Sequence, residues 1–295
     1  ETVFHVASVS KQFTAFCILL LADEGKLSLD DPARGYLPDL WDYGPEITIR
    51  HLLHHTSGIR EQWNLFELSG HRMEDLASLD HIMRLIYRQR ELNFQPGSRY
   101  LYCNSGFTLL GQIVRGISGQ TLRQFAQERI FKPLGMTKTY FRDDHTELSR
   151  NRASSYGYSA REGRYRKLAL TFDLAGSTSL NTTADDLTRW IGELCRPMVF
   201  SARLADRMLE TFTLTDGTDI DYRCGIKSYR YRGEDVCEHT GANAGYRAAL
   251  LAFPGQDFSV AILSNYQFSF PLVRAYQIAD LVMGHSLAAR EKPWF

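Results

Sequence analysis

The chain has no excess of either charge: 34 Lys and Arg are offset by 34 Asp and Glu, a formal net charge of zero. No global field therefore favours nucleic acid, anionic lipid or an acidic substrate, and binding specificity has to come from local groups. Long hydrophobic runs are also lacking. The longest, residues 15–22, is far short of the roughly 20 apolar residues that span a bilayer, so no transmembrane segment is expected. The five cysteines (Cys17, Cys103, Cys195, Cys224, Cys237) are odd in number and show no CxxC spacing, which points to small buried thiols rather than disulfides or metal ligands. His51, His54 and His55 have helical spacing, but no carboxylate beside them completes an HExxH pattern, and no metal site is expected there. A disulfide-stapled miniature is excluded by length, since 295 residues can bury a substantial core.

What is present divides by texture. Residues 9–23 run without Pro or Gly, are apolar on nearly every face and meet Gly25, which predicts a buried central helix. Thr48 is placed to cap a short helix around Leu52, and residues 80–90, 106–117, 121–130 and 183–194 read as further helices. After about residue 221, segments 223–231, 234–239, 246–253 and 258–263 are short, β-branched or aromatic and separated by turn residues, which predicts an antiparallel meander. A last helix over 272–289 would cover one face of it. The period-two Tyr and Arg pattern within 222–232 is read as one solvated strand face rather than a nucleic-acid stripe. The expected class is α/β (α+β), with residues 1–30 and 218–295 forming the sheet part and 31–217 a mostly helical lobe.

Three short motifs occur once each and in order: Ser8-Val9-Ser10-Lys11, Tyr102-Cys103-Asn104 and His239-Thr240-Gly241. A serine hydroxyl is a weak nucleophile near neutral pH and needs an adjacent base; Lys11, three residues on along a helix, lies beside Ser8 on the same face. A serine at a helix start also sits among unpaired backbone N–H groups that favour a developing oxyanion. Lys11 can serve as base if burial lowers its pKa, or Tyr102 can relay the proton, and the sequence leaves both routes open. Each motif alone is a common accident, and their joint occurrence carries the reading. Cys103, between Tyr102 and Asn104, is taken as a small filler.

The chain resembles the serine beta-lactamase-like and penicillin-binding-protein family almost end to end. The likeness includes Phe4-His5-Val6-Ala7-Ser8-Val9-Ser10-Lys11-Gln12, Leu52-Leu53-His54-His55-Thr56-Ser57-Gly58, Tyr102-Cys103-Asn104-Ser105-Gly106, Pro133-Leu134-Gly135-Met136 and His239-Thr240-Gly241. The resemblance implies a beta-lactamase/transpeptidase-like fold with the site in a cleft between its two parts. It makes Ser8 the acylated nucleophile, with Lys11 and Tyr102 handling its proton. It assigns substrate binding to Asn104, His239, Thr240, Gly241 and Ala242, and forms the oxyanion hole from the backbone N–H groups of Ser8 and Ala242. The implied partner is a small-molecule or peptide substrate, with no metal and no organic cofactor. The family leans towards periplasmic or secreted proteins.

Two departures qualify the likeness. Where penicillin-directed members carry Lys-Thr-Gly, this chain has His239, so a fixed cation for a substrate carboxylate is absent; Arg274 is a candidate replacement. The expected reaction is thus hydrolysis of an ester or amide by an esterase or D-amino-acid-type peptidase, ahead of a beta-lactamase or DD-peptidase. A penicillin-sensor-like binding module and a non-catalytic assembly protein of the same fold are the readings from other classes. The second departure is at the start: the sequence opens at Glu1, close to the first motif, whereas two strands precede that point in the family, so the natural chain is expected to extend upstream.

Overall fold

The computed structural model describes residues 2–284 and 286–289. A short strand β1 (Phe4–His5) enters a 3-10 turn, Ala7–Val9, which feeds helix α1 (Ser10–Asp23). Because apolar side chains point in every direction from α1, it is stable only when enclosed by protein. Every residue from 10 to 21 is buried. The helix stops where predicted: Gly25 adopts φ 69° and the Lys26 N–H closes onto the Leu21 carbonyl at 2.9 Å.

The central segment is built largely of capped helices. Thr48 and His51 form a reciprocal capping box at α2 (Ile49–Leu53), Glu61 caps α3 (Gln62–Leu68), and Ser78 caps α4 (Leu79–Tyr87). Helix α5 (Asn104–Ser118) begins two residues earlier than its periodicity predicts and ends at Gly119, φ 70°. The helix expected over 121–130 is split into α6 (Leu122–Ala126) and a π turn, Gln127–Phe131, a widening that lets the sequence neighbours Ile130 and Phe131 both reach the core. Strands also occur here and were not anticipated: β2 (Tyr140–Phe141), the hairpin β3 (Ser155–Ser159) with β4 (Arg164–Leu168), and β5 (Leu180–Thr182), which pairs with β1 and β2. Helices α7 (Ala184–Cys195), with Thr183 as its N-cap, and α8 (Ala202–Met208) follow, then the small pair β6 (Phe212–Thr213) and β7 (Asp219–Ile220).

The predicted meander is present as β8 (Lys227–Tyr231), β9 (Glu234–Asn243), β10 (Tyr246–Phe253) and β11 (Phe258–Ser264), antiparallel in the order β11-β10-β9-β8. Side chains alternate across it. Ala248, Leu250 and Ala252 join the core around α1, while Leu251 and Phe253 face helix α9 (Pro271–Met283) through Ala275, Tyr276, Ala279 and Met283. That helix ends six residues before the expected boundary at 289. The expected sheet part includes residues 1, 285 and 290–295, which lie outside the described residues. No strand pairs with the outer edge of β11 among the described residues. All five cysteines are free, four of them buried.

Candidate active site

Two features aim Ser8 into the open. Ala7 is held at φ 46°, a left-handed conformation uncommon for a residue with a Cβ, and its N–H donates to Nδ1 of the buried His5 at 3.2 Å. The resulting turn leaves Ser8 half-buried and lining a cleft of about 730 Å³. One turn along α1, Lys11 is fully enclosed, and its Nζ lies 3.2 Å from Ser8 Oγ, 2.8 Å from Asn104 Oδ1 and 2.7 Å from the Ser177 carbonyl. Burial lowers the Lys11 pKa to about 7, against an opposing pull from Glu61. Two acceptors thus fix two of its protons, and the third position on Nζ faces the Ser8 hydroxyl.

Tyr102 closes the same group, with its ring 4.8 Å from Lys11 Nζ. Burial raises its phenol well above the ordinary value, offset in part by a hydrogen bond with the Ser8 hydroxyl. The start of α5 sets Asn104 beside this pair, where it lines the cleft. Cys103 does not reach the cleft: its Sγ donates to the Ile59 carbonyl at 3.3 Å.

The third motif approaches from β9. That strand extends four residues past the predicted end at 239, so His239, Thr240, Gly241 and Ala242 are all strand residues. Pairing with β8 ends at Glu238, which leaves this stretch as a free edge against the Ala7–Val9 turn. The approach is close enough to demand glycine: a Cβ on Gly241 would stand 2.0 Å from the Val6 carbonyl oxygen. Ala242 is exposed on the cleft wall. His239 lies behind that wall rather than in it. Its Nδ1 donates to the Thr240 carbonyl at 2.7 Å and its Nε2 accepts from Tyr222 Oη at 2.9 Å, while burial and then Lys11 lower its pKa to about 3. The ring is therefore neutral and brings no cation to the cleft.

A family model described as Beta-lactamase matches residues 1–283. The chain belongs to the beta-lactamase family. It is 29% identical over 285 residues to a D-aminopeptidase of Gluconobacter oxydans (strain 621H), a match covering 96% of this chain and 53% of that protein. The chain spans about half the length of the curated relatives it matches. Among solved structures, the octameric penicillin-binding protein homologue from Pyrococcus abyssi superposes with a TM-score of 0.85 at 25% identity, covering 96% of this chain and 66% of that one. The D-stereospecific amidohydrolase from Streptomyces sp. shares the fold with a TM-score of 0.80 at 22% identity, covering 96% and 87%.

Within this beta-lactamase frame, several residues at the site were not foreseen from sequence. Glu61 accepts from the Asn104 backbone N–H at 2.5 Å and from Asn104 Nδ2 at 3.0 Å. Ser177 supplies a carbonyl to Lys11, and its neighbour Thr178 lines the cleft. The hairpin β3–β4 forms a wall with Arg166 and Lys167, and β10 adds Arg247. Arg247 is the half-buried cation beside the third motif; Arg274 is exposed, donates to Gln277 at 3.4 Å and does not line the cleft, which corrects the expectation that it replaces the motif lysine. The only signal for Arg247 was its position in a strand two places after a turn glycine, which is too common to single out.

Proposed function

We propose that the protein is a serine hydrolase that cleaves an ester or amide bond through an acyl-enzyme, with a D-amino-acid-type peptide or amide as the substrate class. The observation that carries this reading is the buried Lys11 amine, 3.2 Å from Ser8 Oγ with a pKa near 7. As a neutral amine Lys11 accepts the Ser8 proton while Oγ attacks the carbonyl carbon, and the carbonyl oxygen takes up the charge at the backbone N–H groups of Ser8 and Ala242. Tyr102, whose phenol keeps its proton near neutrality, fits a relay from the lysine to the leaving nitrogen or oxygen better than it fits a base. Water then adds to the ester carbon, the bond from that carbon to Ser8 Oγ breaks, and a proton of the attacking water passes to the Ser8 oxygen. Asn104 retains one amide N–H for substrate, since the other is held by Glu61.

The choice of amide and D-peptide is supported by the name of the Gluconobacter relative and by the neutral His239, which provides no fixed charge for a beta-lactam carboxylate. Intact mass after exposure of the full-length protein to D-amino-acid amides, p-nitrophenyl esters and a penicillin tests this. We expect an adduct on Ser8 that turns over with the amides and is absent in Ser8→Ala. A folded protein that forms no adduct would overturn acyl-serine chemistry, and a lasting adduct with penicillin alone would favour a sensor.

A further inference from the structure

Asn104 meets Lys11 through its oxygen because its nitrogen is held elsewhere. Glu61 caps α3 by accepting the Trp63 N–H at 3.2 Å, and the same carboxylate takes both the backbone and the side-chain N–H of Asn104. A carboxylate only accepts, so the Asn104 NH₂ must face Glu61 and the amide oxygen must face Lys11. We propose that Glu61 is the positioning residue of the Lys11–Ser8 pair, acting through Asn104 to keep an acceptor on Lys11 and so to aim the amine at Ser8. The proposal goes beyond the hydrolase reading, on which it rests only for its kinetic consequence.

The surroundings of Lys11 give Glu61 a second effect. From the end of α2 His55 faces the amine, from β9 His239, and from the segment before α5 Tyr102 and Cys103. Burial keeps all four uncharged near neutrality: it lowers both histidines, raises the phenol, and pushes the Cys103 thiol up to about 12. Ser8 and the Ser177 carbonyl are neutral. Glu61 is then the one formal charge among these neighbours, and it pulls the Lys11 pKa upward against burial. Removing the charge, or freeing the Asn104 amide to turn its NH₂ towards Lys11, favours the neutral amine; both effects have the same sign.

The test is an NMR titration of the Lys11 ζ-nitrogen in the full-length, ¹⁵N-lysine-labelled protein, which needs no substrate. We expect Glu61→Gln to move the midpoint down by about one pH unit, and Glu61→Asp, which keeps the charge, to hold it near the wild-type value. Glu61→Ser removes the charge but retains an oxygen for the α3 cap, so a folding failure of the Gln variant does not block the measurement. In parallel, the pH profile of acylation by p-nitrophenyl acetate shifts in the same direction in Glu61→Gln, with a plateau roughly tenfold lower and little change in KM. An unmoved Lys11 midpoint in folded Gln and Ser variants, or equal shifts in Gln and Asp, overturns the proposal. If the midpoint moves as expected but the wild type never acylates, the positioning role stands and the hydrolase reading fails.

Discussion

In the proposed hydrolase the chemistry turns on Lys11, which burial makes a titrating amine where a surface lysine is a fixed cation. Burial lowers its pKa to about 7, so the base-competent neutral form gains population as pH rises through that value. The acylation rate should therefore rise about tenfold per unit below pH 7 and level off above it, as read from the burst phase with an ester. Lys11→Arg, whose guanidinium keeps its proton throughout, should lower the plateau rate above pH 7 roughly 10³-fold and remove the inflection near pH 7. That Ser8, Lys11, Tyr102 and Asn104 would come together was legible because they sit in short motifs. Glu61 and Ser177 were not. They reach Asn104 and Lys11 from 43 and 166 residues away in the chain, and a lone Glu or a backbone carbonyl has no local signature.

Among the elements, the contact between β9 and the Ala7–Val9 turn is the most demanding. Gly241→Ala would drive a Cβ into the Val6 carbonyl, which must shift and carry Ser8 away from Ala242. A displacement near 1 Å costs about 10²-fold in rate, so stopped-flow acylation should fall by that order while KM changes less. A variant with unaltered acylation would show that the strand and the turn are not held in register. Helix α1 and the meander were readable from pattern, because an all-round apolar run and short β-rich segments each have one stable solution. The hairpin β3–β4 was not: β4 is exposed along most of its length and carries Arg164, Arg166 and Lys167, so no apolar alternation marks it. The same hairpin forms a wall of the cleft.

At the scale of the whole molecule, several histidines are buried as neutral rings. Burial lowers His5 and His239 to about 3 and His54 to about 4. In the unfolded chain they titrate near 6.5, so below that pH the unfolded state binds protons that the folded state does not, and stability falls as pH drops. The loss should approach about 1 kcal/mol per pH unit for each ring between about pH 6 and 4. Urea unfolding at about pH 7.5 and pH 5 measures it: a midpoint well below its neutral value is expected at the lower pH, and equal midpoints would mean that these rings are accessible to solvent when folded. The sequence by itself determined the class of fold, the buried helix α1, the meander and the order of the three motifs, since periodicity and motif spacing are local properties. Tertiary structure alone decided that Lys11 loses its charge near neutrality, that His239 is neutral and set behind the cleft wall, that Arg247 rather than Arg274 flanks the site, and that Glu61 holds Asn104. Those outcomes depend on desolvation and on distances between segments far apart in the chain, and neither is encoded in any short stretch of residues.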